Sequence, residues 1–113
     1  MQDPNTLCEM AIECFQQDPA RSYELFTQAA EAGHPNAFFG LAELRMAGIP
    51  DGRRDVEAAV ELYTAAAEAG HPPSMYRLGL IFSGAAGIPE VPSLAYKWFL
   101  AAAEADMPEA FPE

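Results

Sequence analysis

The chain has 113 residues, 50% apolar and 20% charged, the composition of one globular domain and not of a disordered segment. Its net charge is −11, from 17 acids against 6 bases, which excludes the clustered Lys and Arg that nucleic acid or an anionic membrane surface demands. Two cysteines, no apolar run of membrane-spanning length and no basic leader at Met1-Gln2-Asp3-Pro4 lead us to expect a reducing, cytoplasmic setting.

Asp3-Pro4 reads as an N-cap followed by Pro at the first helical position, and a helix is predicted from there to about Gln17. Leu7, Cys8, Ala11, Cys14 and Phe15 keep helical spacing along it. Cys8 and Cys14 are separated by about 600° of rotation at about 100° per residue, so they face different sides of the helix and cannot bridge. They read as small buried hydrophobes. Asp18-Pro19 repeats the cap signal and opens a second helix to Ala32, closed by Gly33. Pro35 begins a third helix, carrying Ala37, Phe38, Leu41 and Leu44. The loop Gly48-Ile49-Pro50-Asp51-Gly52 follows, and Asp55 caps a fourth helix from Val56 to Ala69. Gly70-His71-Pro72-Pro73 resets the pattern, and Met75, Leu78, Gly79 and Phe82 mark a fifth helix. A loop over Gly84–Pro89 leads to a last helix from about Ser93 to Ala105. Pro108-Glu109-Ala110-Phe111 imitates another helix start that Pro112 stops. Apolar–polar alternation is absent and β-branched residues are sparse, so no strand is predicted.

The string Ala-Ala-Glu-Ala-Gly-His-Pro occurs at 29–35 and again at 66–72, with a worn copy, Ala-Ala-Glu-Ala-Asp-Met-Pro, at 102–108. The copies lie 37 and 36 residues apart, a period that marks a repeat array. The predicted fold is all-α: an α-α superhelix, or solenoid, of three antiparallel helix pairs. The pairs are placed at about 4–32, 35–69 and 73–105, with a tail at 106–113, in one domain over 1–113. Corresponding positions agree with this reading. Ala59 and Ala95 are small where helices cross, and Leu62/Tyr63 and Trp98/Phe99 are bulky where a layer must be filled. Ala42 and Gly79 are small where a neighbouring helix leans in.

These residues resemble the Sel-1-like repeat, a relative of the tetratricopeptide repeat. The resemblance is carried by Ala37, Leu41, Ala42, Arg45, Gly48, Asp55, Ala59, Tyr63, Ala66, Ala67, Gly70 and His71. A second copy is Ser74, Leu78, Gly79, Phe82, Gly87, Ala95, Trp98, Phe99, Ala102 and Ala103. It covers roughly residues 20–106 and departs from the pattern at Arg45, where an aromatic is usual, and at Asp106-Met107. The resemblance implies an adaptor or scaffold that binds other proteins. Its alternatives are a bacterial toxin-neutralising (immunity) protein, a secretion-linked factor and, last, a β-lactam-binding enzyme of the cysteine-rich branch. That branch pairs cysteines within each repeat, which Cys8 and Cys14 do not reproduce.

No catalytic or cofactor site is expected. Ser22, Ser74, Ser83 and Ser93 lie in no nucleophile motif, and no phosphate-binding glycine loop occurs. His34 and His71 sit at equivalent turns without a third ligand, so they read as turn formers or caps, and no metal is expected. Arg53-Arg54 is expected to pair with the chain's own carboxylates. The resemblance also implies which positions face the concave surface. They are Thr6, Glu9 and Glu13, then Asn36, Phe39 and Glu43, then Tyr76 and Leu80. Carboxylates beside aromatics suit a basic or amphipathic peptide, with charge steering the encounter and rings supplying contact area. The competing reading is that Phe39 and Tyr76 fill space between hairpins. The last helix is apolar on more than one face, through Leu94, Tyr96, Trp98, Phe99 and Leu100. Either the tail folds back with Phe111, or a second copy forms a homodimer there, or another partner covers it.

Overall fold

A computed structural model describes residues 3–49 and 52–105. Among these residues six α-helices follow in chain order: α1 (Pro4–Cys14), α2 (Pro19–Glu31), α3 (Pro35–Met46), α4 (Val56–Glu68), α5 (Pro72–Leu80) and α6 (Pro92–Glu104). A single π-helical turn, Ile81–Ala85, extends α5. No strand occurs among the described residues. Each helix packs on its neighbours in sequence, within the pairs α1–α2, α3–α4 and α5–α6 and between them through α2–α3 and α4–α5. The result is an elongated stack of 44 × 29 × 20 Å, the all-α solenoid that the repeats predict.

The helix starts follow from local chemistry. Asp3, Asp18 and Asp55 accept hydrogen bonds from the backbone N–H groups of Thr6, Arg21 and Ala58, which satisfies donors that the first turn leaves orphaned. His34 does the same for Asn36 through its ring. Gly33 and Gly70 end α2 and α4 at φ 81° and 90°, where a side chain is strained. Asp106, at the third such place, lies outside the described residues.

Two apolar clusters run along the stack. Leu7, Cys8, Ala11, Leu25, Phe26 and Leu44 build the first, across α1 to α3. Ala42, Ala59, Tyr63, Leu78 and Ile81 build the second, across α3 to α5. Leu62 packs against both, so the core is continuous. Small residues set the helix spacing: a Cβ on Gly40 would run into the Phe26 ring, and one on Gly79 into Phe99. The buried Ser22 hydroxyl ties α2 to α1 by donating to the Ala11 carbonyl at 2.8 Å. Cys8 is buried, Cys14 half-buried, and neither is bonded to the other.

Several local expectations change. α1 ends at Cys14, three residues before Gln17, because the chain turns toward Asp18. The fifth helix runs on from Leu80 into a π turn, and Gly84 at φ 98° breaks it, so the chain leaves helical conformation where the loop was expected. Among the described residues Arg54 meets no carboxylate; its guanidinium donates to the Ala86 carbonyl at 2.8 Å and ties the two long loops together. Arg45, at the position where the repeat pattern has an aromatic, lies over the Tyr23 ring at 5.5 Å and donates to its hydroxyl at 3.0 Å.

Candidate functional site

Asn36, Phe39, Gly40 and Glu43 recur at three- and four-residue steps, so they share one face of α3. That face borders a cavity of about 400 Å³. Ile12 and Phe15 close it from the α1 side and Phe26 from α2; His71 and Pro73 close it from the start of α5. The wall is chiefly apolar, and Ile12, 62% exposed, stands out of it into solvent. Gly40 opens the site as well as the core, since the Phe26 ring reaches the cavity across the space a side chain would fill.

Phe39 serves both readings that the sequence allowed. Its ring packs on Tyr63 at 5.7 Å and on His71 at 5.1 Å, and it also lines the cavity. Beyond it lies a small polar cluster. Glu43 Oε1 accepts one hydrogen bond from the Tyr63 hydroxyl at 2.7 Å and another from Arg77 Nε at 2.8 Å. Burial, then the Glu43 carboxylate, push the Tyr63 hydroxyl well above the usual tyrosine range. A second, smaller cavity of about 150 Å³ follows, bordered by Met46, Tyr63, Arg77, Leu80 and Ile81.

The remaining positions read from the sequence scatter. Thr6 is taken up by the Asp3 cap, to which it donates from both backbone and hydroxyl. Glu9 and Glu13 are exposed on α1, and Glu13 borders an open hollow of about 410 Å³, half polar and half apolar, with Ile12, Phe15, Gln16 and Gln17. Tyr76 packs against Phe99 at 5.8 Å, between α5 and α6. Leu80 borders the second cavity. On α6, Tyr96 is 56% exposed, Leu94 and Trp98 are half-buried, and Lys97 lies over the Trp98 ring at 4.8 Å. Phe111 lies outside the described residues. Sequence reasoning missed Ile12, Phe15, Phe26, His71 and Arg77 as groove residues. Phe26 carried a usable signal, since it stands in phase with Tyr63 and Phe99.

The histidines act locally. His34 caps α3 and its other ring nitrogen meets Asn5 Oδ1. His71 Nδ1 meets the buried Ser74 hydroxyl at 2.8 Å. Burial holds the His71 pKa below its ordinary value, and the His34 ring, on the adjacent turn, adds to the lowering. No three His, Cys, Asp or Glu side chains gather as metal ligands among the described residues. No helix there is long and apolar enough to cross a membrane.

The Sel1 repeat model matches residues 13–34, 35–71 and 72–107, most of the sequence. The chain belongs to the Sel1 repeat family. The fold is similar to that of a Sel1 repeat protein from Oxalobacter formigenes, with a TM-score of 0.83 over 96% of this chain and 46% of that one, at 23% identity. It is also similar to c5321, a protective antigen present in uropathogenic Escherichia coli strains displaying an SLR fold. There the TM-score is 0.86 over 96% of this chain and 24% of the other, at 28% identity. The chain therefore spans less than half the length of either neighbour. No curated protein matches the sequence. Sel1 repeats generally mediate protein–protein interaction, and their fold is typically a non-enzymatic scaffold.

Proposed function

We propose that this Sel1 repeat chain is a small adaptor that holds a basic, amphipathic segment of a partner protein in the groove between α1, α3 and α5. The observation that carries the proposal is the cavity of about 400 Å³ with Phe15, Phe26 and Phe39 in its wall. Its volume falls in the range of ligand sites, about 300–1,000 Å³, and its apolar wall suits one large apolar side chain. The net charge of −11 and the exposed Glu9 and Glu13 steer a basic segment toward it. The outer face of α6 supports a second contact, a homodimer, because Tyr96 stands exposed there.

The groove is tested by fluorescence anisotropy with labelled peptides carrying one Phe or Leu anchor among arginines. Phe39→Ala and Phe15→Ala are each expected to weaken capture by about 1–2 kcal/mol, and a thermal melt checks that each variant folds. Unchanged affinity in both folded variants removes the groove from the proposal.

A further inference from the structure

One stripe of α3 connects the two cavities. Phe39 and Glu43 border the larger, and Met46 borders the smaller. From Phe39 to Met46 is two helical turns, roughly 10 Å at about 1.5 Å per residue. α5 runs the same course beside it, with Pro73 at the larger cavity and Arg77 and Leu80 at the smaller.

Between the cavities stands the Glu43–Arg77 ion pair at 2.8 Å, with side chains 28% and 45% exposed. Its halves are divided between them: Glu43 borders the larger cavity and Arg77 the smaller. Both hydrogen bonds to Glu43 land on Oε1, which leaves Oε2 as an acceptor for a ligand. Arg77 spends its Nε on Glu43, which leaves its two Nη groups as donors. The apolar groove therefore has an acidic edge at one cavity and a basic edge at the other.

We infer that the groove reads a charge-polarised peptide in one direction: a large apolar anchor next to a cation at the cavity of about 400 Å³, and a carboxylate next to a smaller apolar anchor at the cavity of about 150 Å³. The inference rests on the groove reading above and adds a second anchor and an orientation. It also divides the labour among charges. The chain's overall acidity brings the segment in, while the ion pair sets which way round it lies, because a reversed peptide puts like charges together at both edges.

The experiment uses two sets of synthetic peptides, Phe-Arg joined to Glu-Leu and Phe-Glu joined to Arg-Leu, with alanine linkers of graded length and the same flanking arginines, so that both sets are basic. The two sets have the same composition and net charge. The native chain is expected to bind the first set about threefold to fivefold more tightly, the scale of partly exposed ion pairs. Glu43→Arg combined with Arg77→Glu keeps an ion pair and reverses its sense, so its preference is expected to reverse. Should that double variant fail to fold, Arg77→Gln replaces it and is expected to narrow the preference. Equal binding of the two sets by the native chain, or an unchanged preference in the folded variants, overturns the orientation and leaves the groove standing. Binding of neither set overturns the groove reading itself.

Discussion

At Tyr63 the ring fills the core between α3, α4 and α5 while the hydroxyl reaches Glu43 at 2.7 Å. Tyr63→Phe keeps the ring and removes the bond, so it is expected to lower stability by about 1 kcal/mol in urea denaturation. The same contact has a pH signature. The folded state holds the Tyr63 pKa above its unfolded value of 10.0, so the stabilisation is complete below that pH and is lost as pH rises through the folded value. Titration of tyrosinate absorbance is expected to show one late step coincident with unfolding, absent from Tyr63→Phe. His71 acts at the other end of the scale. Its folded pKa is lowered from 6.5, so the unfolded chain takes up the proton first and stability falls as pH drops through that value. His71→Asn places a residue type favoured at helix starts there and removes the titration. Its melting temperature is expected to fall less than that of the native chain between about pH 7.5 and about pH 5; an equal fall contradicts the assignment.

Element by element, packing is governed by what the small residues admit. Gly40 lies under the Phe26 ring, so Gly40→Ala sets any gain in helix propensity against a direct collision. Overpacking is expected to win, at a loss of about 1–3 kcal/mol in thermal unfolding, and a stabilised variant would mean that α2 and α3 lie farther apart. The helices themselves were legible in the sequence because their signals are local. An Asp before a Pro, or before Val56, names the start of α1, α2 and α4, and the Gly-His-Pro string names the turns. The π turn at Ile81–Ala85 was not legible, since nothing in Ile-Phe-Ser-Gly-Ala separates a continued helix from a loop. The groove was legible only where one helix supplies it. Asn36, Phe39 and Glu43 follow from helical phase on α3. Ile12 and Phe15 come from α1 and its end, ahead of a short link at Phe15–Asp18 that breaks the phase carried over from later repeats, whereas Phe26 keeps that phase. Arg77 stands where the preceding repeat has Gly40, so no recurrence pointed to it.

The whole molecule is a stack whose ends differ from its middle. Phe26 of α2 and Tyr63 of α4, each 2% exposed, are covered by the next hairpin, α3 and α5 respectively. α6 holds the equivalent place, and among the described residues no further helix lies over it. Tyr96 on that helix is 56% exposed, against half-buried Tyr23 and Val60 at the corresponding positions of α2 and α4. A surface shaped to take a helix, with no described helix over it, is a site for association. Opposing it is the net charge of −11 on each copy, which repels a second copy at long range and is screened by salt. A homodimer through α6 is therefore expected to strengthen with ionic strength, the reverse of the basic-peptide complex in the groove. Light scattering in low and high salt separates the two contacts. Tyr96→Glu is expected to leave peptide capture within about 0.5 kcal/mol of the native chain while abolishing the dimer. A native chain that stays monomeric at high concentration in both salts ends the dimer proposal.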